Sequence, residues 1–226
     1  MIKAVFIDID NTILSFSEYV KQAMREGFVK FGIGKYDDSM FSVFERINTG
    51  LWQEIERGEL TYDELLKIRW NRIFEAITLS FDGEVFEKYF KECLYDSAIP
   101  EEHATEVLNY LSDKYVLAAA SNGPYQQQVN RLKTAGMDQY FDYLFISEAI
   151  GYSKPSKEFF DYCFNELDGI KPSECVIIGD SISSDISGGK AYGLNTCLYM
   201  RKPVSEEDKK LCDYIVLSLD EIYGIL

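Results

Sequence analysis

The sequence predicts an α/β protein, a parallel sheet interrupted by one all-helical insert, and three observations carry that prediction. The chain begins with a short apolar run, "AVFI", that leads straight into Asp8. From about residue 100 onward, short apolar runs alternate with helical stretches, as in right-handed βαβ crossovers of a parallel sheet. Between these regions, residues 15–97 show helical spacing throughout and no strand-like alternation.

In chain order, residues 3–8 form the first strand, apolar enough to be buried on both faces. Four helical stretches follow: "SEYVKQAMREGFVKFG", "DSMFSVFERINTGLWQEIERG", "TYDELLKIRWNRIFEAITL" and "GEVFEKYFKECL". Thr61 with Glu64 is a capping-box signature at the start of the third. "YVLAAASN" is the next strand, and "PYQQQVNRLKTAGM" a helix ended by Gly136. "YLFIS" is a strand and "PSKEFFDYCFNELDG" a helix. "CVIIGDS" is a strand, "SSDISGGKAYG" a short helix, and "NTCLYM" and "DYIVLS" complete the strands. The expected organisation is a Rossmann-like core from residues 1–14 and 98–226, with a small helical cap at 15–97 joined near residues 14–17 and 93–100.

Composition sets limits on function. With 46% hydrophobic and 15% aromatic residues among 226, the chain can bury a full core, which excludes global disorder. A net charge of −15 with no basic stripe is a poor match to nucleic-acid polymers or anionic membranes. Small molecules are the expected partners, and a monomer or weak homodimer the expected state. Cys93, Cys163, Cys175, Cys197 and Cys212 are odd in number, widely spaced and never C-x-x-C, so they read as reduced core residues. No signal peptide is expected before the first strand, and no apolar run approaches the ~20 residues of a membrane span. A cytoplasmic location is therefore expected.

Ligands of open parallel sheets bind beyond the carboxyl ends of the strands. Chemistry-bearing residues fall at those ends four times. The first strand delivers Asp8 and Asp10, the second Ser121 and Asn122. The loop "EAIGYSKP" brings Lys154, and "CVIIGD" delivers Asp180, followed by Asp185. A D-x-D pair alone is common, and strand ends are generally polar. Four such sets in order are far more specific.

The segments "DIDNT", "SNG", the "SKP" lysine and "GDSISSD" resemble the four motifs of the haloacid dehalogenase-like (HAD) hydrolases, and the helical insert resembles that superfamily's small C1 cap. "SEAIGYSKPSKEFFDYCFNEL" and "GDSISSDISGGKAYGLNTCLYM" are similar to the branch containing pyrimidine 5′-nucleotidases. The resemblance implies an Mg²⁺-dependent phosphatase forming a phospho-aspartate. It implies Asp8 as nucleophile and first metal ligand, Asp10 as ligand through its backbone carbonyl, and Asp180 as third ligand, with Asp185 in support. The chemistry is consistent with this. A carboxylate can attack phosphorus, a divalent ion offsets anion–anion repulsion, and Mg²⁺ takes oxygen ligands while keeping several waters. Asp10's side chain is then free to give and take a proton, help typically worth ~10²–10⁴-fold. Ser121 and Asn122 are placed to grip the phosphoryl group, Lys154 adds positive charge where negative charge gathers, and Thr12 braces the catalytic turn.

Other features carry blander readings. "SGGKA" is no phosphate loop, because Ser184 replaces its first glycine and Ala191 its Ser/Thr. "GIG" at residues 32–34 lacks a third glycine and a preceding strand. His103 opens a helix, and Trp52, Trp70, Phe74 and Phe81 read as helix-packing core. The leading function is hydrolysis of a small phosphorylated metabolite, with a nucleoside 5′-monophosphate first among substrates. A sugar phosphatase or phosphomutase would use the same residues. A non-catalytic phosphate- or protein-binding module is the reading from another class. A dehalogenase would leave Asp10 and Asp180 without a metal role.

Overall fold

In the computed structural model of the chain, which describes all 226 residues, the N-terminal apolar run becomes β1 (Ala4–Ile7), a central strand with every residue buried. The other strands are β2 (Val116–Ser121), β3 (Tyr143–Ile146), β4 (Cys175–Gly179), β5 (Asn195–Tyr199) and β6 (Tyr214–Val216). They form one sheet in the order β3-β2-β1-β4-β5-β6, parallel at every pairing. The period-2 alternation of strand side chains sorts the core into two layers. Val5, Ile7, Leu117, Ala119, Val176 and Ile178 pack with Val107, Leu108 and Leu111 of α5 (Ala104–Ser112). Ala4, Phe6, Ala118, Ala120 and Ile177 pack with Phe159, Phe160 and Cys163 of α8 (Lys157–Glu166). The remaining α-helices of this unit are α6 (Tyr125–Thr134), α7 (Ser147–Ile150), α9 (Gly188–Tyr192) and α10 (Glu206–Lys209).

This sheet unit comprises Met1–Ser15 and Ala98–Leu226; Phe16–Ser97 is a second compact unit. The two chain segments of the sheet unit that flank the insert bond to each other. Ser15 N–H donates to Ile99 O at 2.7 Å and Glu101 N–H to Ile13 O at 3.0 Å, around an antiparallel bridge between Leu14 and Pro100.

The second unit contains α1 (Phe16–Phe31), α2 (Asp38–Glu56), α3 (Tyr62–Ala76) and α4 (Gly83–Tyr95). The Thr61 capping box forms as its sequence implies: Glu64 N–H donates to Thr61 Oγ1, and Thr61 N–H to Glu64 Oε2 at 2.8 Å. Its centre is aromatic. Trp70 is buried with the rings of Phe44, Phe74, Phe86 and Phe90 at 4.3–5.5 Å, so Trp70 and Phe74 are core; Trp52 is only half-buried, against Tyr62. No helix is long and apolar enough to cross a membrane.

One local feature differs from a plain reading of the sequence. "ISSDIS" winds as a π-helix, Ile182–Ser187, not as an α-helix. The Ser181 carbonyl accepts from both Asp185 N–H and Ile186 N–H at 3.1 Å, which widens the turn. His103, at the start of α5, holds a left-handed φ of 64° and makes no side-chain cap. The glycines of "SGGKA" serve close packing: a Cβ at Gly188 or Gly189 would press on Pro155 or Ile177.

The outer strands are tied by Asp213, whose carboxylate accepts from Thr196 N–H at 3.0 Å and from Lys190 Nζ at 2.6 Å. Partial burial would raise this carboxyl, but Lys190 and the Thr196 donors outweigh it and hold it below the usual range. A depressed folded pKa gives stability that is full above the unfolded value and is lost as pH falls through the folded one. Asp213→Asn should therefore destabilise the protein at pH 7. In urea melts across pH, the gap from wild type should close below about pH 4; a gap independent of pH would rule out this account.

Candidate active site

Because β1 lies between β2 and β4, the sequence-distant ends of three strands meet where the strand order reverses, the position at which open α/β sheets bind ligands. Asp8 follows β1 directly, and its N–H donates to Ile178 O at 2.9 Å. Ser121 ends β2, and Asp180 follows β4. Carboxylate oxygens of Asp8, Asp180 and Asp185 all lie within 4.8 Å of one another.

A lysine is threaded into this acidic group. Lys154 is buried, and its Nζ donates to Asp8 Oδ1 at 2.8 Å, to Asp185 Oδ1 at 2.6 Å and to Ala120 O. All three ammonium hydrogens are thus engaged. The widened π-turn lets Asp185 fold back so that Ser181 N–H donates to its Oδ2 at 3.1 Å. Gly179 leaves room for this, since a Cβ there would sit 2.2 Å from Asp185 Oδ2.

The electrostatics follow from burial and crowding. Burial pushes Asp8 up to about 7, with Asp185 adding to the rise and Lys154 opposing it. Burial, then Asp8 and Asp185, push Asp180 well above the carboxylate range. Burial works against the Lys154 ammonium, but Asp185 and Asp8 more than compensate and keep it charged. Three carboxyl groups beside one buried ammonium gather hard oxygen donors that a divalent cation would hold ionised, a donor set that fits Mg²⁺.

The other residues singled out in the sequence lie around this centre. Thr12 Oγ1 donates to Asp8 Oδ2 at 3.4 Å. The Ser121 hydroxyl accepts from Gly123 N–H at 3.1 Å and from Gln128 Nε2 at 2.8 Å, which leaves its own hydrogen to donate. Asn122, expected among the phosphate-gripping groups, directs both ends of its amide to the Lys154 backbone. Its Nδ2 donates to Lys154 O at 2.8 Å and its Oδ1 accepts from Lys154 N–H at 2.9 Å. Asp10's carboxylate stands outside the acidic cluster and is held by Arg131 and Gln128 of α6.

Those two residues were not singled out in the sequence, nor was Arg201. Arg201 Nη1 donates to Asn11 O at 3.2 Å in the turn after Asp10 and pairs with Glu101. The available signal was position, since α6 begins four residues after Ser121, at the same sheet end.

Residues 2–193 match the family described as haloacid dehalogenase-like hydrolase. The chain is 30% identical over 224 residues to the HAD-hydrolase YfnB of Bacillus subtilis, covering 99% of this chain and 95% of YfnB. It is 26% identical to the pyrimidine 5′-nucleotidase PynA of Streptococcus pneumoniae, with coverage of 99% and 94%. It is 28% identical to the pyrimidine 5′-nucleotidase YjjG of Escherichia coli, with coverage of 98% and 96%. The crystal structure of YfnB bound to magnesium is similar at a TM-score of 0.89 and 31% identity, over 100% of this chain and 98% of that one.

Removing one partner of a buried ion pair leaves uncompensated charge and typically costs about 3–5 kcal/mol. Lys154→Met should lose stability of that order in urea denaturation at pH 7. A loss below about 1 kcal/mol would show that Lys154 is not what balances these carboxylates.

Proposed function

The chain belongs to the haloacid dehalogenase-like hydrolase family, and from that premise we propose that it is an Mg²⁺-dependent phosphomonoester hydrolase working through a phospho-aspartate on Asp8. The single observation that carries this reading is the meeting of Asp8, Asp180 and Asp185 around the Lys154 ammonium at one sheet end. A small phosphorylated metabolite is the substrate, with a nucleoside 5′-monophosphate first, supported by the similarity to two pyrimidine 5′-nucleotidases. The enzyme is cytoplasmic, a monomer or weak homodimer, and the helical unit at residues 16–97 acts as a cap that selects substrates.

Asp8, Asp180 and the main-chain carbonyl of Asp10 would hold Mg²⁺, with Asp185 in support; the ion supplies the positive charge that lets one anion approach another. A carboxylate oxygen of Asp8 bonds to phosphorus as the bond from phosphorus to the ester oxygen breaks. Asp10 gives its proton to the departing alcohol. In the second half, a water oxygen attacks the phosphorus of the acyl phosphate, Asp10 takes the water's proton, and inorganic phosphate leaves with Asp8 restored. Ser121 directs its free hydrogen to a phosphoryl oxygen. Lys154 holds Asp8 in place and lends charge as negative charge builds on the transferring group. Asn122 acts by fixing the Lys154 backbone, and Thr12 by bracing Asp8.

Phosphate release from a panel of nucleotides and sugar phosphates, with p-nitrophenyl phosphate beside them, tests the proposal. Turnover should need Mg²⁺, stop on chelation, and fall to background in Asp8→Asn. Inactivity on every monoester rejects it. A requirement for a bisphosphate primer indicates a phosphomutase, and ligand binding unaffected by Asp8→Asn without turnover indicates a binding module.

Metal binding can also be read without turnover. A ligand at about 100 times its Kd adds about 2.7 kcal/mol, or about 5–10 °C in melting temperature for a chain of this size. Mg²⁺ should produce such a rise, and Asp180→Asn should remove most of it. An equal rise in that variant would place the ion elsewhere.

A further inference from the structure

Two buried polar side chains without a role in this scheme converge on Asp10. Arg131 is 1% exposed and Gln128 fully buried, both on α6. Arg131 Nη1 donates to Asp10 Oδ1 at 2.5 Å, and Gln128 Nε2 donates to Asp10 Oδ2 at 2.6 Å, so each carboxylate oxygen has its own donor. Arg131 Nη1 also donates to Gln128 Oε1 at 2.9 Å, which fixes the orientation of the amide. That amide nitrogen reaches Ser121 Oγ at 2.8 Å as well. Gly123 keeps the space open: a Cβ there would lie 2.4 Å from Gln128 Nε2.

A buried arginine could simply anchor α6 to the sheet. The arrangement says more, because the Asp10 side chain is 31% exposed and can be solvated without an internal cation. Arg131 and Gln128 hold a group that water could satisfy, and in doing so they set its direction. A carboxylate offers about four lone-pair sites. The two donors occupy one on each oxygen and leave others for a proton.

We propose that Arg131 and Gln128 are positioning residues for proton transfer, locking the Asp10 carboxyl and the Ser121 hydroxyl into one register. The proposal rests on the phosphatase reading and adds to it the machinery that aims the acid–base group. The proton moves from Asp10 to the ester oxygen in the first half-reaction and from water to Asp10 in the second. In both, the α6 pair neither gives nor takes a proton and fixes where Asp10 points.

The test compares kcat/KM on two substrates, because kcat/KM covers the steps through departure of the leaving group. Uridine 5′-monophosphate releases an alkoxide that needs a proton, whereas p-nitrophenyl phosphate releases a phenolate that does not. Arg131→Ala should lower kcat/KM on the nucleotide by about 10- to 100-fold, in line with the loss from a misaimed catalytic group. On p-nitrophenyl phosphate only the loss shared through Ser121 should remain, several-fold smaller than on the nucleotide. Any shared loss from a displaced Ser121 cancels in the ratio. In an Asp10→Asn background, Arg131→Ala should leave the ratio unchanged. Equal losses on both substrates, or a further change of ratio without Asp10, would overturn the proposal. Gln128→Met cuts the other arm and is read by the same ratio if Arg131→Ala does not fold. Wild-type turnover of both substrates upholds the phosphatase reading whatever the variants do; a wild type inactive on both sinks that reading and this one together.

Discussion

The site is organised around a buried ammonium. Lys154 reaches from the loop after α7 to the ends of β1 and β2, and its three hydrogens meet Asp8, Asp185 and the Ala120 carbonyl. Without a positive charge there, three carboxylates within 4.8 Å would repel one another in a poorly solvated pocket. The chain builds several local features to seat it. Asn122 holds the Lys154 backbone, the π-turn returns Asp185 to the lysine, and Gly179 leaves room for that return.

The sheet order makes this convergence possible. Asp8, Ser121, Lys154 and Asp180 are spread over more than two-thirds of the sequence, yet they belong to neighbouring strands or the loops beside them. A parallel sheet places all strand ends of one sense on the same edge, so each crossover returns the chain with its next polar residue on the correct side. The motifs keep their order along the chain because the topology repeats one operation.

Much of this was legible in the sequence. The strands could be read because both faces of β1, β2 and β4 are buried, which demands unbroken apolar runs such as "AVFI" and "CVIIG". The helices of the insert could be read from their spacing and from the Thr61–Glu64 cap. Asp8, Asp180, Asp185 and Lys154 stood out because polar sets recur, in order, at or beyond the carboxyl ends of successive apolar strands. Arg131 and Gln128 did not, because "YQQQVNRLK" has the composition of a solvent-facing helix. Only the three-dimensional placement of α6 beside Asp10 buries them. The π-turn was hidden for a related reason: "ISSDIS" suits an α-helix locally, and the wider winding accompanies a contact between Asp185 and Lys154, 31 residues apart. Asn122 was legible by its place at the strand end but not in its contacts, since an amide there can face a ligand or a neighbouring backbone equally well.

The short antiparallel clasp of Leu14 and Ser15 with Ile99 and Pro100 has a consequence for how such a protein can diversify. With the clasp closed, the sheet unit experiences the insert as a tight loop whatever its content, because the ends to be joined are already adjacent. Lengthening a closed loop costs little, about 0.6 kcal/mol per doubling. The eighty or so residues between the clasped segments can therefore drift, be exchanged or be rebuilt with scarcely any effect on the alignment of the strand ends. If the helical unit selects substrates as proposed, heritable change in what is recognised is thereby uncoupled from change in how bonds are broken.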